Sequence, residues 1–308
     1  MRILFHCLML TSCFNLVGLV SNSAARDIFV SNVEGDDRAQ GRRSHPSLGI
    51  DGPVRTIAKA LRLAQAGDRV VVANTGQPYR ESVSLTGHKH SGSPVNTFTI
   101  EGNGAMLDGS LPIPEGAWKH HVGDVFYFEP SGLGYQQLFL RGRPAVRHPA
   151  AAADVTLPPL EPLEWCLWQG RIYFRVEAGQ LPSNYEPACC GLRTAITLYH
   201  VEDVVIENLI VHGYQFDGIN AIDAARRIQL NELVCRANGR SGINAAGAST
   251  IEINACLLGD NGEAQLRSED YAQTHVNESE LLSDTAPAIQ LQGGEVTVDG
   301  RVIVSSER

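Results

Sequence analysis

Hydrophobic and polar positions repeat through the second half of the chain. The segments VVIENLIV, RIQLNELVC, TIEINACLL and THVNESELL fall into one register. In that register Ile206, Leu230, Ile253 and Val276 recur after 24, 23 and 23 residues, and each precedes a polar position: Glu207, Asn231, Asn254 and Asn277. Further along, Ile219, Ile243, Leu266 and Ile289 align behind Gly218, Gly242, Gln265 and Ala288. A fixed period of this length marks stacked supersecondary units. Inside each unit apolar and polar residues alternate with a period of two, which predicts two or three short strands rather than a helix. Such a unit has no core of its own and must bury its apolar face against its neighbours. The pattern therefore predicts one turn of a parallel β-solenoid per repeat.

The first half holds a different signal. DIFVSNVEGDD reads as a strand and a polar turn. In the following PVRTIAKALRLAQAGDRVVV, residues Ile57, Ala60, Leu61 and Ala64 share one helical face. Pro53 stands before that helix and Gly67 after it, the usual asymmetry of helix ends. Val70–Val72 is a buried strand. The open end of a solenoid exposes apolar side chains and unpaired strand edges, so this helix is expected to cap it.

The order FVSNVEGDD, PVRTIAKAL, AQAGDRVVV, GQPYRE resembles the entry segment of secreted right-handed parallel β-helix proteins of the pectate-lyase-like superfamily. FTIEGNGAMLDGS resembles their next coil. The resemblance covers residues 27 to 110 and 195 to 293. It implies an all-β, right-handed parallel β-helix with an N-terminal capping helix. It does not imply one activity, because this entry segment precedes lyases, hydrolases and proteins of other roles. Residues 111 to 195 leave the pattern and carry Trp118, Trp165 and Trp168, which predicts a small antiparallel insert. Gln137, Leu138, Phe139, Gly142, Arg147 and Pro149 match a stretch found in the insert of some β-helix glycoside hydrolases. The expected organisation is a leader at 1–25, cap and first coils at 26–110, the insert at 111–195, and further coils at 196–308. The chain closes on EVTVDGRVIV, a hairpin turning at Asp299-Gly300.

Charge narrows the partners. The net charge of −9, without a basic run, excludes nucleic acid as the expected partner. Residues 1–25 carry Arg2, an apolar stretch and a small-residue Ser23-Ala24-Ala25 end, the layout of a secretory signal. An uncleaved anchor and a lipoprotein box ending at Cys13 are the alternatives. The expected protein is a secreted, periplasmic or surface monomer with no membrane span once the leader is removed. Five cysteines then remain: Cys166, Cys189, Cys190, Cys235 and Cys256. Cys235 and Cys256 align with leucines of neighbouring repeats, so they read as small core residues. His88, Lys89 and His90, and likewise His120 and His121, read as exposed loop residues.

Alternation places Asn220, Asn244, Arg267 and Gln290 on the outside of one strand column, with Glu269 and Gln292 two residues on. Amides and charges at about 4.8 Å spacing suit sugar hydroxyls, so Asn220, Asn244, Glu269 and Gln290 are the candidate substrate-binding residues. The Asn231-Asn254-Asn277 column is read as scaffold: stacked amides that bond along the axis. The loops before the outward column hold the catalytic candidates Asp217, Arg240, Glu263 and Arg267. Asp217 and Glu263 stand two coils apart, roughly 10 Å by strand spacing, at or just beyond the inverting-glycosidase range of roughly 6.5–9.5 Å. A lyase would instead use Arg240 or Arg267 against a uronate, with Asp217, Asp260 or Glu269 holding Ca²⁺. No metal site is expected otherwise. The readings are therefore an exported polysaccharide hydrolase or lyase, a non-catalytic glycan- or protein-binding β-helix, or a fragment of a longer enzyme.

Overall fold

A computed structural model describes residues 25–46, 49–132, 134–150 and 155–304. The leader expected at 1–25 lies outside the described residues except for Ala25. The chain is mostly β and winds into a parallel β-helix with three stacked sheet faces. The first face stacks Asp27–Val30, Arg69–Val72, residues 98–101 and 202–207, Arg226–Asn231, Thr250–Asn254, residues 273–277 and residues 295–298. The second stacks Val83–Thr86, Ile196–Tyr199, Asp217–Ile222, Ser241–Ala245, residues 264–268 and residues 289–293. The third runs through residues 105–108 and 209–212, Val234–Arg236, Leu257–Gly259 and Glu280–Leu281.

The repeat register survives in space. Ile206, Leu230, Ile253 and Val276 pair in sequence order along the first face and are wholly buried. Ile219, Ile243 and Leu266 do the same on the second. The bend from the first face to the third is made at a left-handed residue in each coil: Asn208, Glu232, Ala255 and Glu278 have φ between 49° and 56°. Non-glycine residues adopt this conformation at a cost of about 1–2 kcal/mol each, so the bend needs support. The asparagine column one residue earlier supplies it. Asn254 Nδ2 donates to Asn231 Oδ1 at 3.0 Å, and Asn277 Nδ2 to Asn254 Oδ1 at 3.0 Å.

The expected cap is present but shorter than its sequence signals. The helix spans Ile57–Leu63, and Ala64 is already extended. Ile57, Ala60 and Leu61 are buried against the first coils. Thr56 Oγ1 caps its third amide, and the carboxylate of Glu81, far along the chain, accepts from Ile57 N and Ala58 N at 2.9 Å each. His90 departs from the exposed-loop expectation. It is buried: Nδ1 accepts from Thr86 N and Nε2 donates to Leu61 O, both at 2.9 Å, while His88 and Lys89 are exposed. The described cysteines are free and buried, with Cys235 and Cys256 in the coil core. The hairpin at Asp299-Gly300 forms, pairing Val298 with Arg301. Among the described residues no helix is long and apolar enough to cross a membrane.

Residues 111–190 form the insert. One sheet orders Ser110–Pro112, Pro187–Cys190, Leu138–Leu140 and Arg143–Pro144, all antiparallel. A second orders Val146–Arg147, Glu164–Trp168, Arg171–Arg175, Val125–Phe128 and Lys119–Val122 around buried Trp165 and Phe174. The insert leaves and rejoins the column between two coils, so it stands on the wall without breaking the stack.

The asparagine column ends in Glu101 and Glu207, register partners one coil apart. Burial raises the Glu207 pKa, and the hydrogen bond and charge of Glu101 raise it further, with Asn231 opposing. A carboxyl raised in the folded state stabilises the fold below its unfolded pKa and loses that contribution as pH climbs through the folded value. Glu207→Gln is therefore expected to melt above wild type at pH 7 to 8, with the gap closing near pH 4. Thermal melts across that range check it.

Candidate functional site

The turns joining the third face to the second carry the chemistry-bearing residues, and the insert lies along them. It packs where the turns lack side chains. A Cβ at Gly239 would come within 2.8 Å of the Tyr135 carbonyl, and one at Gly132 or Gly134 would strike the Gln215 amide. Two polar contacts complete the seam: Gln137 Nε2 donates to Asp260 O, and Arg147 Nη1 to Gly262 O, each at 3.1 Å. This brings Tyr135 of the insert against the turn before the second face.

Asp217 and Arg240 meet there. Asp217 is 0% exposed. Its Oδ1 accepts from Arg240 Nε at 2.9 Å and from Ser241 Oγ at 2.6 Å, and its Oδ2 from Arg240 Nη2. Burial works against the Arg240 charge, but the hydrogen bond and charge of Asp217, with Glu269 and Tyr135 beyond, outweigh it, so the pKa is raised overall. Arg240 is thus a permanent cation, and Asp217 is enclosed and fully engaged. The guanidinium also lies over the Phe216 and Tyr135 rings, at 5.5 and 6.0 Å. Arg193 stands over Phe216 at 5.3 Å, and Tyr135 meets Phe216 edge-on. The result is a shelf of two aromatic rings and two guanidiniums at the edge of the second face.

Beyond the shelf runs the outward column. Asn220, Asn244, Arg267 and Gln290 are register partners in that order. Asn244 Nδ2 donates to Asn220 Oδ1 at 3.0 Å. Arg267 bonds Gln290, Glu269 at 2.6 Å and Gln292 at 2.9 Å. Asn244 is 2% exposed and Arg267 7%, yet Asn244 Oδ1 and Arg267 Nε have no partner. A buried polar atom left unpaired costs about 1–3 kcal/mol, and these two fall at adjacent register positions of the column.

Glu263 sits at the insert seam, 3.9 Å from Arg147 Nη2, with its side chain 40% exposed. Its backbone N donates to the carbonyl of Arg240 at 2.9 Å. The carboxylates considered for Ca²⁺ are each held by an arginine: Asp217 by Arg240, Asp260 by Arg236 and Glu269 by Arg267. Among the described residues no group of three or more potential ligands gathers to hold a metal. Tyr135, Phe216 and Arg193 were invisible to the repeat register: Phe216 lies in a turn, and the other two lie outside the repeats. The nearest signal was Tyr135's place two residues before the Gln137 pattern.

A second concavity, about 600 Å³, opens on the far side of the Arg147 contact. Gln137, Val146, Arg147, Asp260, Asn261 and Asp284 are among its lining residues.

No protein-family model matches this chain, and no curated protein matches it in sequence. Solved structures do match in shape. A glycoside hydrolase is 13% identical, with 83% of this chain and 73% of that one covered and a TM-score of 0.59. A GH136 lacto-N-biosidase from Eubacterium ramulus is 14% identical over 82% of this chain and 41% of its own, with a TM-score of 0.46. XylC in complex with xylose is 14% identical over 88% and 69%, with a TM-score of 0.43. At these identities the likeness is one of fold.

Removing one partner of a buried ion pair strands the other charge, at a cost of roughly 3–5 kcal/mol. Asp217→Asn is therefore expected to lower unfolding free energy by about that amount, and Asp217→Asn/Arg240→Met to recover part of it. Denaturant titration of the three proteins measures both.

Proposed function

We propose that this protein is an exported, monomeric, carbohydrate-active member of the pectate-lyase-like β-helix proteins, and that it holds a glycan chain along the second face. The observation that carries the reading is the pair of buried, unsatisfied polar atoms, Asn244 Oδ1 and Arg267 Nε, in a column of amides and guanidinium. Sugar hydroxyls donate and accept at once, so they match a column that mixes acceptors and donors, as Asn244 and Arg267 do. The shelf adds the other half of sugar recognition. Tyr135 and Phe216 offer partly exposed rings to the apolar face of a pyranose, and Arg193 and Arg240 offer donors beside them. The fold neighbour with a TM-score of 0.59, a glycoside hydrolase, fits this class of ligand.

The same geometry disfavours chemistry on this face. A lyase base must be neutral to accept a proton, and Arg240 is held charged by Asp217. An acid–base pair must reach one bond, and Asp217 is enclosed while Glu263 sits at the insert seam. Asp217 then acts by holding Arg240 in place, and Arg240 and Arg267 act as donors and fixed charge. Asn220, Asn244, Glu269 and Gln290 make the contacts.

Asn244→Ala and Gln290→Ala should each weaken glycan binding about 5- to 30-fold, the worth of a hydrogen bond or two of ~1 kcal/mol, with little change in melting temperature. Glycan-array screening followed by calorimetry on the best ligand measures this. Binding to no glycan, or equal binding by both variants, would refute the reading.

A further inference from the structure

A further cleft, about 650 Å³, opens between the insert and the first turns that lead into the second face. Small-ligand sites span roughly 300–1,000 Å³ and are mostly apolar, with a few placed polar groups. The insert side fits that description, with Leu111, Pro112, Pro114, Phe128 and Pro130 along it. The coil side brings Gln215 and Phe216 beside Arg193. No strand residue of the second face lines the cleft.

Stacking fixes the coil side. Gln215 N donates to Leu192 O at 2.8 Å, and Phe216 N to Arg193 O at 2.7 Å. The two turns therefore lie in register, and the Arg193 guanidinium sits 5.3 Å from the centre of the Phe216 ring. Arg193 is exposed and has no carboxylate partner among the described residues. Glu129 also lines the cleft, but Arg171 Nε already holds its carboxylate at 2.9 Å.

Gln215 is the group that the fold does not account for. It is 7% exposed, yet its side-chain amide makes no hydrogen bond among the described residues. The insert packs directly on it. A Cβ at Gly132 would come within 2.8 Å of its Nε2, and one at Gly134 within 2.9 Å of its amide carbon. Two glycines thus make room for an amide that the protein leaves unbonded. Burying a polar group without a partner is destabilising, so stability alone would favour an apolar side chain of the same length. The open side of Gln215 is the cleft it lines, where a ligand can meet both its donor and its acceptor.

We infer that this cleft is a glycan subsite for a single terminal residue, a chain end or a side branch, and that Gln215 and Arg193 select it. The inference rests on the glycan reading of the second face. Phe216 and Arg193 belong to both the shelf and the cleft, so a glycan on the shelf is next to the cleft. A unit held there leaves the line of the column, as a branch or a chain end does. Phe128 and Phe216, both partly exposed, offer rings to its C–H face. The Gln215 amide donates to one hydroxyl and accepts from another, and Arg193 supplies further donors. The insert, rather than the repeats, then decides which glycan is bound.

The test uses the full chain, a glycan array to find the best oligosaccharide, and calorimetry with that oligosaccharide intact and with each terminal residue trimmed in turn. Gln215→Met keeps the length of the side chain and removes the amide. It is expected to melt at or above the wild-type temperature, and to bind the intact oligosaccharide about 5- to 30-fold more weakly, the effect of one or two hydrogen bonds. Trimming one particular terminal residue should weaken wild type by a similar factor and Gln215→Met no further. Arg193→Leu should also bind the intact oligosaccharide more weakly, whereas Asn244→Ala should lose affinity for intact and trimmed forms alike. Equal binding by wild type and Gln215→Met, or a difference between them that survives every trimming, overturns the inference. So does a Gln215→Met melting temperature more than roughly 4 °C below wild type, which would give the amide a structural role. Loss in Gln215→Met with Asn244→Ala unchanged would keep the cleft assignment and remove the column reading. The reverse pattern would remove this inference alone, and binding to no glycan would remove both.

Discussion

The structure depends on backbone pairing between successive coils. A coil of 23 or 24 residues places each residue beside its counterpart in the next coil, so the main-chain hydrogen bonds of one can be met only by the other. Register is then not adjustable coil by coil, because a slip of one residue would turn every apolar side chain outward. The inward column of Ile206, Leu230, Ile253 and Val276 and the asparagine column beside it are two consequences of that single restraint. So is the repeated left-handed residue, carried by Asn208, Glu232, Ala255 and Glu278 without one glycine. The cap answers the same need at the start of the stack, and Glu81 ties it down by bonding the first helical amides.

Stacking also concentrates charge. Any polar type that recurs in register meets itself every coil, and the chain handles this in two ways. Asparagines bond one another along the axis. Carboxylates are matched with an arginine: Asp217 with Arg240 and Asp260 with Arg236 in the following or preceding turn, and Glu269 with Arg267 two residues away. Glu101 and Glu207 instead meet as like charges, and burial together with Glu101 raises the Glu207 pKa. The insert makes a cleft with the turns between the third and second faces. Its backbone crosses at Gly239 and Arg147 reaches Gly262, so it forms a wall above turns that would otherwise be open to solvent.

Much of the fold was legible in the sequence because its signals are periodic and local. The repeat, the inward column, the asparagine ladder, the capping helix, the Asp299-Gly300 hairpin and the buried cysteines are each written in spacing or in short-range chemistry, and neighbouring coils amplify them. The outward positions of Asn220, Asn244, Arg267 and Gln290 followed from alternation for the same reason. What alternation cannot express is which outward atoms lack a partner, and the orphaned Asn244 Oδ1 and Arg267 Nε appear only when the neighbouring side chains are in place. Spacing likewise put Asp217 and Glu263 two coils apart, without showing that Asp217 is sealed under Arg240 and Ser241 or that Glu263 sits at the insert seam. The burial of His90 is not written locally, because its two bonding partners, Thr86 and Leu61, lie on separate elements. By itself, then, the sequence determined the column: a period, a pleat and an inside. Only the tertiary structure decided where that column meets the non-repeating insert. Tyr135 and Arg147 lie outside the period, and packing between distant segments alone brings them to the coil edge that carries Asp217, Arg240 and Asp260.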